Sequence, residues 1–159
     1  MIKHIFLFLF CVIFISCSND SQTTSNDIDI KPTPEINQIE QDAFEVLFNS
    51  AQFASIAVGI AGSPPQQVAA FQTILASEYA EYLFQKLQAD AKIEGQMYGL
   101  CGLYLVNKAY FDSVVSDYYN SNAEVSTFIG CILSSHPVNE IIPSIEDGGW
   151  PESYRDCPL

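Results

Sequence analysis

The chain has 159 residues, 48% of them hydrophobic, and carries 19 Asp and Glu against six Lys and Arg, a formal charge of −13. A surplus of that size repels nucleic-acid phosphates, and a few scattered cations supply no basic patch to overcome it, so nucleic acid is excluded as a partner. A cationic protein, a divalent metal or a neutral glycan remains compatible with the charge, as does plain solubility of a tethered domain.

Lys3 and His4 open the chain, residues 5–15 follow without a charge, and the sequence then reads Ile15-Ser16-Cys17-Ser18-Asn19-Asp20. As a helix, residues 5–15 would span about 16 Å, roughly half a bilayer core, which is the length of a signal h-region rather than of a membrane-spanning helix. Small Ser16 immediately before Cys17 resembles the cleavage box of bacterial lipoprotein precursors. The usual leucine three positions before the cysteine is Phe14 here, and Cys11 does not fit the pattern because bulky Phe10 precedes it. The resemblance covers only the first twenty or so residues. It implies removal of a signal peptide, residues 1–16, and attachment of fatty chains, palmitate among them, to Cys17. An ordinary secretory signal with a chance cysteine, or an uncleaved anchor, is the alternative. Ser18 resembles the sorting pattern for the outer membrane, which implies a lipid-anchored protein of the bacterial cell envelope on its periplasmic or surface face. After cleavage, residues 18–159 keep all 19 acidic side chains but only five of the six cations, since Lys3 lies in the leader, leaving −14.

From Ser18 to Gln38 the chain is mostly Ser, Thr, Asn, Asp and Gln with Pro32 and Pro34, and its few isoleucines build no sustained apolar face. Residues 17–38 therefore read as a lipidated cysteine and a disordered tether, with a root-mean-square reach of about 25 Å. Residues 39–159 are enough for one core and too few for two.

Within that domain, Ile39, Ala43, Val46 and Leu47 fall at helical spacing. Ser63-Pro64-Pro65-Gln66 reads as a capping box opening a helix through Val68, Phe71 and Leu75. Ser77 would cap the next, with Tyr79, Tyr82, Leu83 and Leu87 on one face. Ile93, Met97, Leu100, Cys101 and Tyr104 mark another, and Asn107 would cap a helix carrying Phe111, Val114, Val115 and Tyr118. Two stretches are ambiguous. Phe53 to Gly62 is uncharged and alternates, so strand and buried helix are both allowed, and β-branched Val125 to Leu133 allows the same two, with context favouring helix. Pro137, Pro143, Pro151 and Pro158 break up the C-terminal segment. The expectation is a mostly α, single small helical domain with room for a short strand pair.

Cys101, Cys131 and Cys157 would face an oxidising compartment, where pairing is the default. Cys101 and Cys131 both lie in apolar segments, so the expected disulfide joins them, with Cys157 as the rival partner. Gly95, Gly99 and Gly102 each cost a helix up to about 1 kcal/mol, and the ordinary compensation is close approach of another element.

Chemistry is sparsely signalled. His136, the one histidine left after cleavage, lies in Ser134-Ser135-His136-Pro137 and reads as a loop residue. A Ser-His pair also needs a carboxylate, which Glu140 supplies only if Pro137 opens a helix, and no nucleophile elbow is present. There is no Cys-x-x-Cys or His-Glu-x-x-His, so no metal or cofactor is expected, Glu146-Asp147-Gly148 reading as a solvated acidic turn. Trp150, in Gly148-Gly149-Trp150-Pro151, is a candidate exposed ligand platform, for glycans among others. The expected function is a lipid-anchored envelope module that binds or protects, with a cationic protein as partner, membrane contact through the lipid anchor and no catalytic residue. The alternative is a small envelope hydrolase using carboxylates, with Glu78, Glu81, Glu94 and Asp112 as candidates.

Overall fold

The structure is a computed structural model and describes residues 34–158. The leader, Cys17 and the tether as far as residue 33 lie outside the described residues. Helix α1 spans Gln38–Phe48. It is opened by a capping box in which the Asn37 side chain accepts from the Glu40 N–H at 3.0 Å and the Glu40 carboxylate accepts from the Asn37 N–H at 3.0 Å. Strand β1 covers Phe53–Val58, and helices α2 (Gln66–Leu75), α3 (Ala80–Asp90), α4 (Ile93–Val106), α5 (Lys108–Val114) and α6 (Ser116–Tyr119) follow. Strands β2 (Glu124–Gly130) and β3 (Ile132–Pro137) lead into α7 (Val138–Glu146) and α8 (Gly149–Asp156).

The helical expectations hold best where the apolar period is longest. Asn107 caps α5 as expected, its side chain accepting from the Tyr110 N–H at 2.9 Å. Ser63 does not cap α2, which starts on Pro65 without a side-chain cap. Ser77 caps only the turn before α3, its hydroxyl accepting from the Tyr79 N–H at 3.0 Å.

Helix α4 is the central element, with Glu94, Gly95 and every residue from Met97 to Leu103 buried. A helix that is apolar on all sides belongs inside a core. Its glycines answer to neighbouring backbone and rings: a Cβ on Gly95 would lie 2.8 Å from the Leu47 carbonyl oxygen, one on Gly99 2.6 Å from the Gln88 nitrogen, and one on Gly102 2.2 Å from the Phe84 ring. The missing side chains let α3 and the end of α1 rest on α4 directly.

The mainly helical expectation is corrected by a three-stranded sheet of order β1-β2-β3, which makes this a mixed α/β fold. Strand β1 runs parallel to β2, with Phe53 opposite Thr127, and β3 runs antiparallel to β2, with Thr127 opposite Ser134 and Ile129 opposite Ile132. The stretch read as a buried helix is a hairpin turning on Gly130-Cys131. Gly130, at φ 58°, supplies the positive φ that a two-residue hairpin turn demands of its first residue. The C-terminal prolines also do less than expected. Pro151 sits in the first turn of α8, where a missing N–H costs nothing, and Pro143 is accommodated inside α7.

The expected Cys101–Cys131 disulfide is corrected too: Cys101, Cys131 and Cys157 are all free thiols. Cys101 is wholly buried in α4 while Cys131 is exposed on the hairpin turn. Shared apolar surroundings in the sequence reflected two different things, a core helix and a bare turn. Burial also pushes the Cys101 thiol well above its ordinary pKa, which suppresses the reactive thiolate. Iodoacetamide added to the native protein without reductant should therefore alkylate Cys131 at least about 100-fold faster than Cys101. Peptide mass mapping that finds both blocked until a reductant is added would restore the disulfide.

Candidate functional site

An aromatic cluster ties the sheet to the helices. Phe53 on β1 packs edge-on against Tyr98 of α4 at 5.0 Å between centroids and lies against Trp150 of α8 at 4.4 Å, with Tyr154 of α8 at 6.0 Å. The backbone of Ala54 is held by two buried hydroxyls. Its N–H donates to the Tyr98 hydroxyl at 2.8 Å, and its carbonyl accepts from the Tyr154 hydroxyl. Tyr98 in turn donates to the Gln52 carbonyl at 3.2 Å. Strand β1 is an edge strand, and these phenols cover polar groups that no further strand pairs. Burial first of all raises both phenols well above their ordinary pKa, so they remain neutral donors throughout the accessible range.

Trp150 is half-buried, stacked on Phe53 rather than standing clear as a platform. It borders an open groove of about 370 Å³ between the sheet and the last two helices, lined also by Ser55, Ile56, Ile129, Asp147 and Ser153. Beyond the groove the sheet ends in bare apolar side chains. Ile129 is 46% exposed, Ile132 68% and Leu133 62%, and Ile60 is fully exposed on the turn after β1. That turn is joined to the hairpin by the Gly59 N–H donating to the Gly130 carbonyl at 2.8 Å, and across the hairpin Ile129 stands opposite Ile132 on one face of the sheet while Leu133 stands on the other. Reading residues 125–133 as a helix hid this surface. The cue was the uncharged Ile129-Gly130-Cys131-Ile132-Leu133 string, which as a hairpin tip puts its apolar side chains in water.

None of the carboxylates proposed for hydrolysis lines the groove. Glu81 is exposed and accepts from Gln85 and from Asn107, at 3.1 and 2.7 Å. Asp112 pairs with Lys108, and Glu78 is exposed before α3. Glu94 is buried and accepts from the Ser126 N–H at 3.1 Å, closing the start of β2 onto α4. Asp147 is the carboxylate bordering the groove, and it also accepts from the Gly149 N–H at 2.9 Å. Among the described residues, no group of three or more His, Cys, Asp or Glu is arranged to hold a metal.

His136 lies on β3, not in a loop, and its Nε2 is 2.9 Å from the Ser134 hydroxyl. Glu140, on the first turn of α7, has its carboxylate 3.7 Å from Nδ1 of the same ring. Sequence reasoning considered this trio and set it aside because near neighbours rarely reach such geometry; the condition it named, a helix opening at Pro137, is met.

The cations are largely consumed within the fold. Lys86 pairs with Asp90, Lys108 with Asp112 and Arg155 with Asp156, which leaves Lys92, among the described residues, as the cation outside an ion pair. Comparison with protein-family models, with curated proteins and with solved structures finds no match.

Proposed function

We propose that this chain is a lipid-anchored envelope protein whose domain captures a cationic, partly apolar segment of a protein partner, in a binding or protective role. The observation that carries the reading is the exposed hairpin tip, where Ile129 and its cross-strand neighbour Ile132 share one face, Ile129 continues into the Trp150 groove with Asp147 at its border, and Leu133 is bare on the opposite face. An exposed cluster of large aliphatic side chains beside a groove marks an interaction surface rather than routine surface composition. Charge selects the partner. A domain with so large an acidic surplus, and most of its cations already paired internally, attracts basic chains and repels acidic ones.

Anchoring rests on the Ser16-Cys17 pattern and on the apolar leader before it. Intact-mass measurement of the protein from its native host should find residues 1–16 absent and acyl mass on Cys17. A retained leader, or an unmodified Cys17, would contradict the anchor.

Capture is tested with an alternating Leu-Lys peptide and an alternating Leu-Glu peptide as its control. The basic peptide should bind at micromolar or tighter affinity and weaken as salt rises, while the acidic one should not bind. Ile132→Ser combined with Leu133→Ser should weaken binding about tenfold or more while changing stability by under about 1 kcal/mol, since both side chains already face water. Equal binding of the two peptides, or full binding by the double variant, would refute the reading.

A further inference from the structure

The β3–α7 junction holds a group of side chains that capture of a partner does not use. We infer that Ser134, His136 and Glu140 form an ester-cleaving site in which Ser134 is the nucleophile. The backbone dictates the grouping. Residues 134 and 136 of β3 point to the same face of the sheet, Pro137 ends the strand, and α7 begins at Val138 so that Glu140 falls one turn beyond His136. The Ser134 Oγ to His136 Nε2 distance is 2.9 Å, and the Glu140 Oε2 to His136 Nδ1 distance is 3.7 Å. Each ring nitrogen thus faces the partner that a nucleophile, base and orienting carboxylate would require. The longer contact is of the kind that tightens when the ring gains its second proton during reaction.

A fourth residue extends the hydrogen-bond chain. Thr127 is fully buried on β2, and its hydroxyl lies 3.0 Å from the Ser134 hydroxyl. A carboxylate beside Nδ1 favours the tautomer protonated there, which leaves Nε2 as an acceptor. Ser134 must then donate to Nε2, and the single Thr127 proton goes to the Ser134 hydroxyl at 3.0 Å or to the Ser134 carbonyl at 3.4 Å. The serine oxygen is left with its proton directed at the base and a lone pair for attack. Ser134 and His136 are both half-exposed, and Ile132 with Ile129 opposite it continues the same face, giving an apolar acyl chain a surface to lie on. Strand β3 is the outer strand, so the N–H groups along its far edge face no neighbouring strand and are available to a developing oxyanion.

The substrate class is a carboxylic ester with an apolar acyl group. Ser134 Oγ bonds to the acyl carbon as His136 Nε2 takes the serine proton, and the bond from carbonyl carbon to leaving oxygen breaks as His136 returns that proton to the departing alcohol. Water then attacks the acyl-serine with His136 again as base, releasing the carboxylic acid and restoring Ser134. Ser134 and His136 are the catalytic residues, and Glu140 is a positioning residue.

The test treats the full chain with a fluorophosphonate, which loses fluoride on bonding to an activated serine, and measures turnover of p-nitrophenyl butyrate. One adduct on Ser134 is expected, absent in Ser134→Ala and formed at least about 100-fold more slowly in His136→Ala, the scale of general-base assistance. Glu140→Gln should lower kcat at least about tenfold with KM unchanged, a split that loss of mere structural support would not produce. Circular dichroism of each variant establishes that it is folded. An unlabelled but folded wild type, a label on another residue, or wild-type labelling by His136→Ala would overturn the assignment. An unchanged kcat in Glu140→Gln would overturn the role given to Glu140.

Discussion

Gly99→Ala should destabilise the domain by about 3 kcal/mol, the upper end of ordinary overpacking, and lower its Tm by about 10 °C. The added methyl would sit 2.6 Å from the Gln88 nitrogen, 3.0 Å from its Cα and 3.0 Å from the Phe84 carbonyl oxygen. All three are backbone atoms of α3, so no rotamer change relieves the overlap, and the two helices must move apart. Alanine's better helix propensity returns about 1 kcal/mol, which is too little to reverse the sign. Gly102→Ala offers an internal comparison. There the obstacle is the Phe84 ring, 2.2 Å away, and a side chain can be shortened where a backbone cannot. Phe84→Leu should therefore rescue part of the loss in Gly102→Ala and none of the loss in Gly99→Ala. Thermal and denaturant unfolding of the singles and doubles measures both couplings. A Gly99→Ala domain as stable as the parent would mean that α3 and α4 do not approach as closely as described.

Removing the two phenolic hydroxyls that hold Ala54 should have the second largest effect. Tyr154→Phe leaves the buried Ala54 carbonyl without its donor, and Tyr98→Phe strips a partner from both the Ala54 N–H and the Gln52 carbonyl. Orphaning a buried backbone group costs about 1–3 kcal/mol, so each substitution should cost about 2 kcal/mol even though every ring contact survives. The double variant should depart from additivity, because both hydroxyls act on one residue of one edge strand. Amide exchange should locate the damage in β1, with Ala54 losing protection before α3 and α4 do. Uniform loss of protection across the domain would contradict the local clamp.

Legibility followed the range of the interactions. Helix α4 was evident because its apolar residues recur through three turns, and α5 because Asn107 announces its own start within three residues. The close approach expected from Gly95, Gly99 and Gly102 was also correct, although sequence could not name Phe84 and Gln88 as what approaches. The sheet was different in kind. Phe53 pairs beside Thr127, more than seventy residues away, and a parallel pairing of that range leaves no local signature that separates strand from buried helix in Phe53–Gly62. Residues 125–133 carried a readable hairpin cue in Gly130-Cys131, overruled by their helical neighbours. Once that segment was assigned to helix, the bare tip at Ile129, Ile132 and Leu133 was lost, while the Ser134, His136, Glu140 grouping was seen and set aside for want of a nucleophile elbow. The expected disulfide rested on the apolar neighbours of Cys101 and Cys131, which do not distinguish a buried helix from a hairpin turn in solvent.

Trp150 is the chain's single tryptophan and borders the groove, so its fluorescence reports on the proposed binding surface without a label. On titration with the alternating Leu-Lys peptide, the emission should shift to shorter wavelength as the half-buried indole loses its remaining water. The shift should fade at high salt and be absent when Ile129 and Ile132 are both replaced by serine. Peptide binding detected by calorimetry with no change in Trp150 emission would place the partner elsewhere on the molecule and contradict the account.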